Sequence, residues 1–270
     1  MVNVLLGAGG VVGRALRRRL EAGGERVVAY DLADGHDLRF FEPPPIDGEA
    51  FYWFLAWDVG GAKYLLDAAV QRQSIEHNVA LCHRVFGWLA RRRARFLFTG
   101  SQMAGYPNAY GATKALAQYW TRCLGGQLAI LWNVYGAAPI SARSYFVPDV
   151  IAQAVGGGEI RLLTDGTERR RFVHADDCAE ALVRQRDLGQ PEAHIASGEW
   201  SRVADVARVV ADLTGAVLRL GERPGYESIV EPTRPLAGWA PRLTLPEGIE
   251  RTIATMRERG WALTASGSGP

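Results

Sequence analysis

Tyr110 and Lys114, in the run Tyr110-Gly111-Ala112-Thr113-Lys114, are the residues whose types and spacing best suit chemistry. Four positions apart at the start of an expected helix, they stand one turn apart on the same face. A tyrosine phenol, with a pKa of about 10, is a poor base at neutral pH. A lysine ammonium one turn away favours the phenolate and brings it towards a working range. Lys63 and Lys114 are the only lysines, and with nine tyrosines chance supplies only about 0.07 such pairs. Ser101 lies just upstream, where the apolar run Arg95–Thr99 opens into Gly100-Ser101-Gln102. Open parallel sheets bind ligands at the carboxyl ends of their strands. Ser101 is thus expected to donate a hydrogen bond to the substrate oxygen that Tyr110 deprotonates. The plain alternative is a surface tyrosine and an ordinary serine cap.

A second motif, Gly7-Ala8-Gly9-Gly10-Val11-Val12-Gly13, falls between an expected strand and an expected helix. That is the setting of a dinucleotide-binding turn. Gly7 allows the tight turn, Gly10 lets backbone approach a pyrophosphate, and Gly13 lets helix and strand pack closely. The first turn of the helix, at Val11 and Val12, then offers unpaired N–H groups to the phosphates. Asp31 follows the second strand directly. A carboxylate there accepts from the adenosine ribose hydroxyls and repels a 2′-phosphate, which favours NAD over NADP. Arg14 could argue for NADP, but no basic residue follows in Asp31-Leu32-Ala33-Asp34. Asp37-Leu38 is placed where a next short strand would carry a carboxylate to the adenine edge. No metal-ligand spacing is present.

The elements that must position these groups alternate. Val2–Leu6, Arg26–Tyr30, Phe51–Leu55, Arg95–Thr99 and Gln127–Trp132 read as strands. Val11–Ala22, Ser74–Arg92 and Ala109–Leu124 read as helices, the second with Ile75, Val79, Cys82, Val85, Phe86 and Leu89 at three-to-four spacing. The pattern implies an α/β fold, a Rossmann doubly wound parallel sheet with a smaller C-terminal substrate-binding lobe. We expect an NAD-binding domain over 1–136, with 171–196 returning to it. The lobe is expected over 137–170 and 197–262, and a disordered Ser/Gly-rich tail over 263–270. A 48% hydrophobic and 22% charged composition is that of a soluble globular protein, and a net charge of +2 gives no reason to expect nucleic acid or membrane partners. Cys82, Cys123 and Cys178 are far apart and odd in number, which suits reduced thiols in the cytoplasm.

Together, the glycine turn, Asp31, Leu55-Ala56, Ser101 and the Tyr110–Lys114 pair resemble the extended short-chain dehydrogenase/reductase family, in its nucleotide-sugar epimerase and dehydratase branch. The resemblance implies that Leu55 and Ala56 also line the cofactor, and that Asn133, in Asn133-Val134-Tyr135-Gly136, contacts a substrate diphosphate. It likewise implies that Arg170, two before Phe172 in Arg170-Arg171-Phe172-Val173-His174-Ala175-Asp176-Asp177, grips the nucleotide. A planar, permanently charged fork suits that task. Gly100 stands where serine or threonine is common in the family, and Arg171 where aspartate is common. The 4,6-dehydratases of the family need two carboxylates just after the serine; here Gln102 and Met103 occupy those places. The 3,5-epimerases place a cysteine in this stretch, and there is none. An NAD-dependent 4-epimerase of nucleotide-diphosphate sugars is therefore the first expectation. A keto-sugar or small-alcohol reductase or dehydrogenase comes next, and a non-catalytic NAD sensor third. Trp88, Tyr119 and Trp120 exceed what one core-facing stripe needs. The family pairs the equivalent helices in dimers, so a homodimer is expected.

Overall fold

Short apolar runs punctuated by glycine build the first half of the chain. A computed structural model describes residues 1–61, 64, 67–141, 143–225 and 231–261. The elements of this half are β1 (Val2–Leu6), α1 (Val11–Ala22), β2 (Arg26–Tyr30), β3 (Ala50–Phe54), α2 (Ala68–Arg91), β4 (Arg95–Ser101), α3 (Ala109–Cys123) and β5 (Gln127–Leu131). The second half adds β6 (Val134–Tyr135), α4 (Phe146–Gly157), β7 (Glu159–Arg161), β8 (Arg169–Arg170), β9 (Val173–His174), α5 (Ala175–Leu188) and β10 (Glu192–Ile195). After these come β11 (Ser201–Arg202), α6 (Val203–Thr214), β12 (Val217–Arg219) and α7 (Leu245–Glu258).

Six strands form one sheet in the order β2-β1-β3-β4-β5-β10, each pair parallel. Successive side chains alternate between the two faces, so helices must cover both. On one face Leu5, Trp53, Leu97 and Ile195 pack with Leu16 and Leu20 of α1 and Leu182 of α5. On the other, Val4, Phe54 and Phe98 pack with Val85, Phe86 and Leu89 of α2 and Ala117 of α3. A third core joins Val147 and Ile151 of α4, Val206 and Val210 of α6, and Ile249, Ile253 and Met256 of α7. Here Thr244 and Glu247 form a capping box that starts α7. Among the described residues, no helix is long and apolar enough to cross a membrane.

Several expectations need correction. Asp37-Leu38 forms no strand: Asp37 accepts from the Arg39 backbone and guanidinium, and Leu38 is buried in the core. This two-residue ion pair holds a turn where the short strand was expected. Helix α2 starts well before Ser74, because the Asp67 carboxylate caps it by accepting from Ala69 N at 2.9 Å. Trp88 is wholly buried against Tyr52, and Trp120 stacks on Phe86, so of the three aromatic groups only Tyr119 is exposed. Ile75 and Val79 lie on the exposed face of α2 instead of the core face. The tail over 263–270 lies outside the described residues.

Candidate active site

The turn between β1 and α1 shows why its glycines are glycines. Gly7 has φ +97°, and a Cβ on it would lie 2.5 Å from Ala56 N. A Cβ on Gly13 would collide with Gly7 O, so α1 seats directly on the turn. Gly10 caps α1 with no side-chain partner, and the space over it is open. Leu55 N and Ala56 N both donate to Leu6 O, at 2.9 and 2.8 Å, which fixes the opposite wall. Gly9 was not assigned from sequence. Asp31 Oδ2 accepts from Gly9 N at 2.7 Å, and a Cβ on Gly9 would lie 2.7 Å from Asp31 Oδ1. The Arg14 guanidinium is spent on backbone, donating to Gly9 O and to Ala137 O.

An uncapped helix N-terminus, an open glycine and a carboxylate at the end of the second strand fit a dinucleotide. Gly10, Val11 and Val12 would hold its pyrophosphate, and Asp31 its adenosine ribose. The expected contact of Asp37 rested on a strand that does not form.

At the carboxyl end of β4 the reactive group assembles. Asn108 caps α3 by accepting from Gly111 N at 2.8 Å, which sets the helix start that aims Tyr110 and Lys114. The Tyr110 phenol neighbours the Ser101 side chain, whose Oγ accepts from Met103 N at 3.1 Å. Lys114, 4% exposed, donates from Nζ to Thr99 O at 2.7 Å and lies 5.9 Å from the centre of the Tyr110 ring. Burial governs both groups. It pushes the Tyr110 phenol up to about 12, against the pull of the neighbouring Ser101 side chain, and the Lys114 ammonium down to about 7.

Residues that the sequence reading missed surround this group. Gln118, one turn beyond Lys114, accepts from Ser101 N at 2.8 Å through Oε1. A Cβ on Gly100 would lie 2.6 Å from that oxygen, which explains the glycine at this position. The side chain of Tyr145, the N-cap residue of α4, lies near the Tyr110 phenol, and its own phenol is pushed up by burial and by that neighbour. Buried Asp58 accepts from Tyr64 OH and from Arg143 Nη1, both at 2.7 Å, and pairs with His77 Nδ1 at 2.9 Å. The Gln118 spacing could have been read from the helical period. The Asp58 cluster joins segments too distant in sequence to leave a pattern.

Asn133 and Arg170 belong to a second group. Asn133 has φ +26°, and its carbonyl accepts from Val173 N at 3.4 Å where β6 pairs with β9. Arg170 is half-buried on β8 and donates to Arg169 O at 2.8 Å. Arg171 lies across the Trp200 ring and pairs with Glu231.

A family model, the NAD dependent epimerase/dehydratase family, matches residues 58–194, half of the chain. A dTDP-4-dehydro-6-deoxy-D-allose reductase of Streptomyces bikiniensis is 32% identical over 96 residues, 34% of this chain and 29% of that protein. The matched stretch thus spans about a third of that relative's length. Among solved structures, a UDP-galactose 4-epimerase superposes with a TM-score of 0.77 at 19% identity, over 97% of this chain and 100% of that one. A GDP-6-OMe-4-keto-L-xylo-heptose reductase from C. jejuni superposes with a TM-score of 0.79 at 16% identity, over 96% and 98%. At such identities the superpositions carry the fold, and the family model carries the membership. The chain belongs to the NAD dependent epimerase/dehydratase family.

Proposed function

We propose that the chain is a 4-epimerase of nucleotide-diphosphate sugars. The observation that supports this best is the placing of Ser101 beside the Tyr110 phenol at the end of β4, with Lys114 one turn along α3 from Tyr110 and no carboxylate at positions 102 and 103. Bound NAD supplies a reversible hydride acceptor. Ser101 holds the reacting hydroxyl of the sugar, and Tyr110 takes its proton as the alcohol is oxidised. After the keto sugar turns over, Tyr110 returns the proton to the oxygen of the inverted centre. Asn133 and Arg170 hold the diphosphate while the sugar rotates. Three free thiols, Cys82, Cys123 and Cys178, agree with a cytoplasmic setting.

Incubation with a panel of nucleotide sugars, followed by NMR of the products, tests the reading. Inversion at C4 with no net change in NAD is expected. Product formed in step with consumption of added cofactor would instead make the chain a reductase or dehydrogenase on the same residues.

We infer, too, that the active form is a homodimer. Helices α2 and α3 present Ile75, Val79, Leu116 and Tyr119 to solvent, each at least 42% exposed. In these two helices they form i,i+4 and i,i+3 pairs, so each helix shows an apolar stripe that no described element covers. Light scattering should give the mass of two chains for the wild type and of one for Leu116→Arg/Tyr119→Arg. A wild-type mass of one chain at micromolar concentration would refute the dimer.

A further inference from the structure

The surroundings of Lys114 contain a residue that the proposed reaction does not use. Lys114 Nζ lies 4.2 Å from the centre of the Trp57 ring and 4.6 Å from that of Phe98. Trp57 comes from the loop that leaves β3, directly after Leu55-Ala56, whose backbone is tied to Leu6 O beside the glycine turn. Its ring packs against Phe54 and Phe98, with centres 6.3 and 5.4 Å apart, which fixes the indole plane. A cation within about 6 Å of a ring centre is drawn to the face of the ring, most strongly for tryptophan and more so where water is excluded. Lys114 has three donors, and among the described residues one of them meets an acceptor, Thr99 O, so the ring faces supply much of its remaining stabilisation.

The polar edge of the same indole is unsatisfied. Trp57 Nε1 is buried and has no acceptor among the described residues. Buried donors almost always find partners, and one left open beside a reactive lysine points to a ligand oxygen. Trp88 Nε1 is also unpaired, but Trp88 is fully enclosed in the core. Trp57 is only half-buried, at the edge of the site.

We propose that Trp57 is a cofactor-binding residue: its face holds the Lys114 ammonium, and its indole N–H is donated to a hydroxyl of the nicotinamide-side ribose of NAD. The inference rests on the reading that Lys114 faces NAD. It makes one aromatic side chain responsible both for the lysine and for the diol beside it.

Two changes in the full-length protein separate the halves of this role. Replacing Trp57 with benzothienylalanine keeps the size of the ring system and removes only the N–H. Without NAD its melting temperature should be no lower than that of the wild type, because an unpaired buried donor has gone. Its Kd for NAD, measured calorimetrically without substrate, should rise about tenfold, the weight of one ligand hydrogen bond. Trp57→Leu removes the face as well, so Lys114 should titrate at lower pH. With two lysines in the chain, ¹⁵N-lysine labelling gives two NMR signals, which Lys63→Arg assigns. Unchanged NAD affinity in the benzothienyl protein, or an unmoved Lys114 titration in Trp57→Leu, would overturn the proposal. Failure of the wild type to bind NAD would instead overturn the reading of the site on which it stands.

Discussion

Tyr110→Phe is expected to lower turnover by at least roughly 10²–10⁴-fold on a verified nucleotide sugar, the range typical of losing a positioned acid–base group. The substitution keeps the ring and removes one hydroxyl, so packing at the start of α3 should be preserved. The capping bond from Gly111 N to Asn108 does not involve the phenol. Ser101 keeps Met103 N on Oγ and Gln118 on its backbone N–H. Melting temperature and NAD affinity should therefore stay near wild type while chemistry stops. The pH profile gives a second readout. Burial holds the Tyr110 phenol up at about 12, so the fraction ready to accept a proton grows tenfold per pH unit through the neutral range. Wild-type turnover should climb with pH wherever proton abstraction limits the rate, and the residual activity of Tyr110→Phe should be flat. Near-wild-type activity in the phenylalanine protein would sink the proposed mechanism, whatever the family. A sensor that binds NAD without turning over substrate would show no such difference between the two proteins.

Much of this is legible in the sequence, for identifiable reasons. β1, α1 and β2 were readable to the residue because local signals agree there: an apolar run, a glycine turn and an amphipathic stripe closed by Gly23-Gly24. The Tyr110–Lys114 pair was readable because helical spacing places it on one face without help from tertiary structure. What failed was set by distant partners. Trp88 looked surplus on a helical wheel, but the sheet offers Tyr52 and the helix offers Arg92 to cover it. Ile75 and Val79 fall one position off the buried stripe of α2, which at this end is carried by the polar Ser74 and Asn78. Asp37 was assigned to a strand by position, yet Arg39 two residues away captures its carboxylate at 2.6–3.2 Å. That pairing lowers the Asp37 pKa and stabilises a turn instead. The burial of Lys114 and Tyr110 has the same origin. Spacing reveals that lysine and tyrosine are neighbours, but not that both are taken out of water, and desolvation is the larger effect.

Lys114→Met should abolish turnover as thoroughly as Tyr110→Phe, weaken NAD binding, and yet raise the melting temperature of the cofactor-free protein. The first two effects follow from its place: it shares a face with Tyr110, and an ammonium there is expected to bond the nicotinamide ribose. The third follows from burial. Lys114 falls from an ordinary value of 10.5 to about 7 on folding, so the folded chain binds fewer protons than the unfolded chain between those limits. Stability rises with pH wherever the unfolded state holds more protons. The lysine's penalty is therefore complete below about pH 7, shrinks as pH rises, and is gone above 10.5. Methionine fills similar space and carries no charge; the bond to Thr99 O and the attraction of the Trp57 face that it loses hold the charged lysine and are already contained in the folded value of about 7. A gain of about 5 °C is expected at or below neutral pH, narrowing steadily towards pH ~10. Thermal melts of both proteins across that range, without NAD, measure it. A methionine protein that melts below wild type by a pH-independent margin would show that Lys114 supports the fold instead of straining it. With the predicted pattern, the strain is removed only together with the activity, and the lysine is kept for its chemistry.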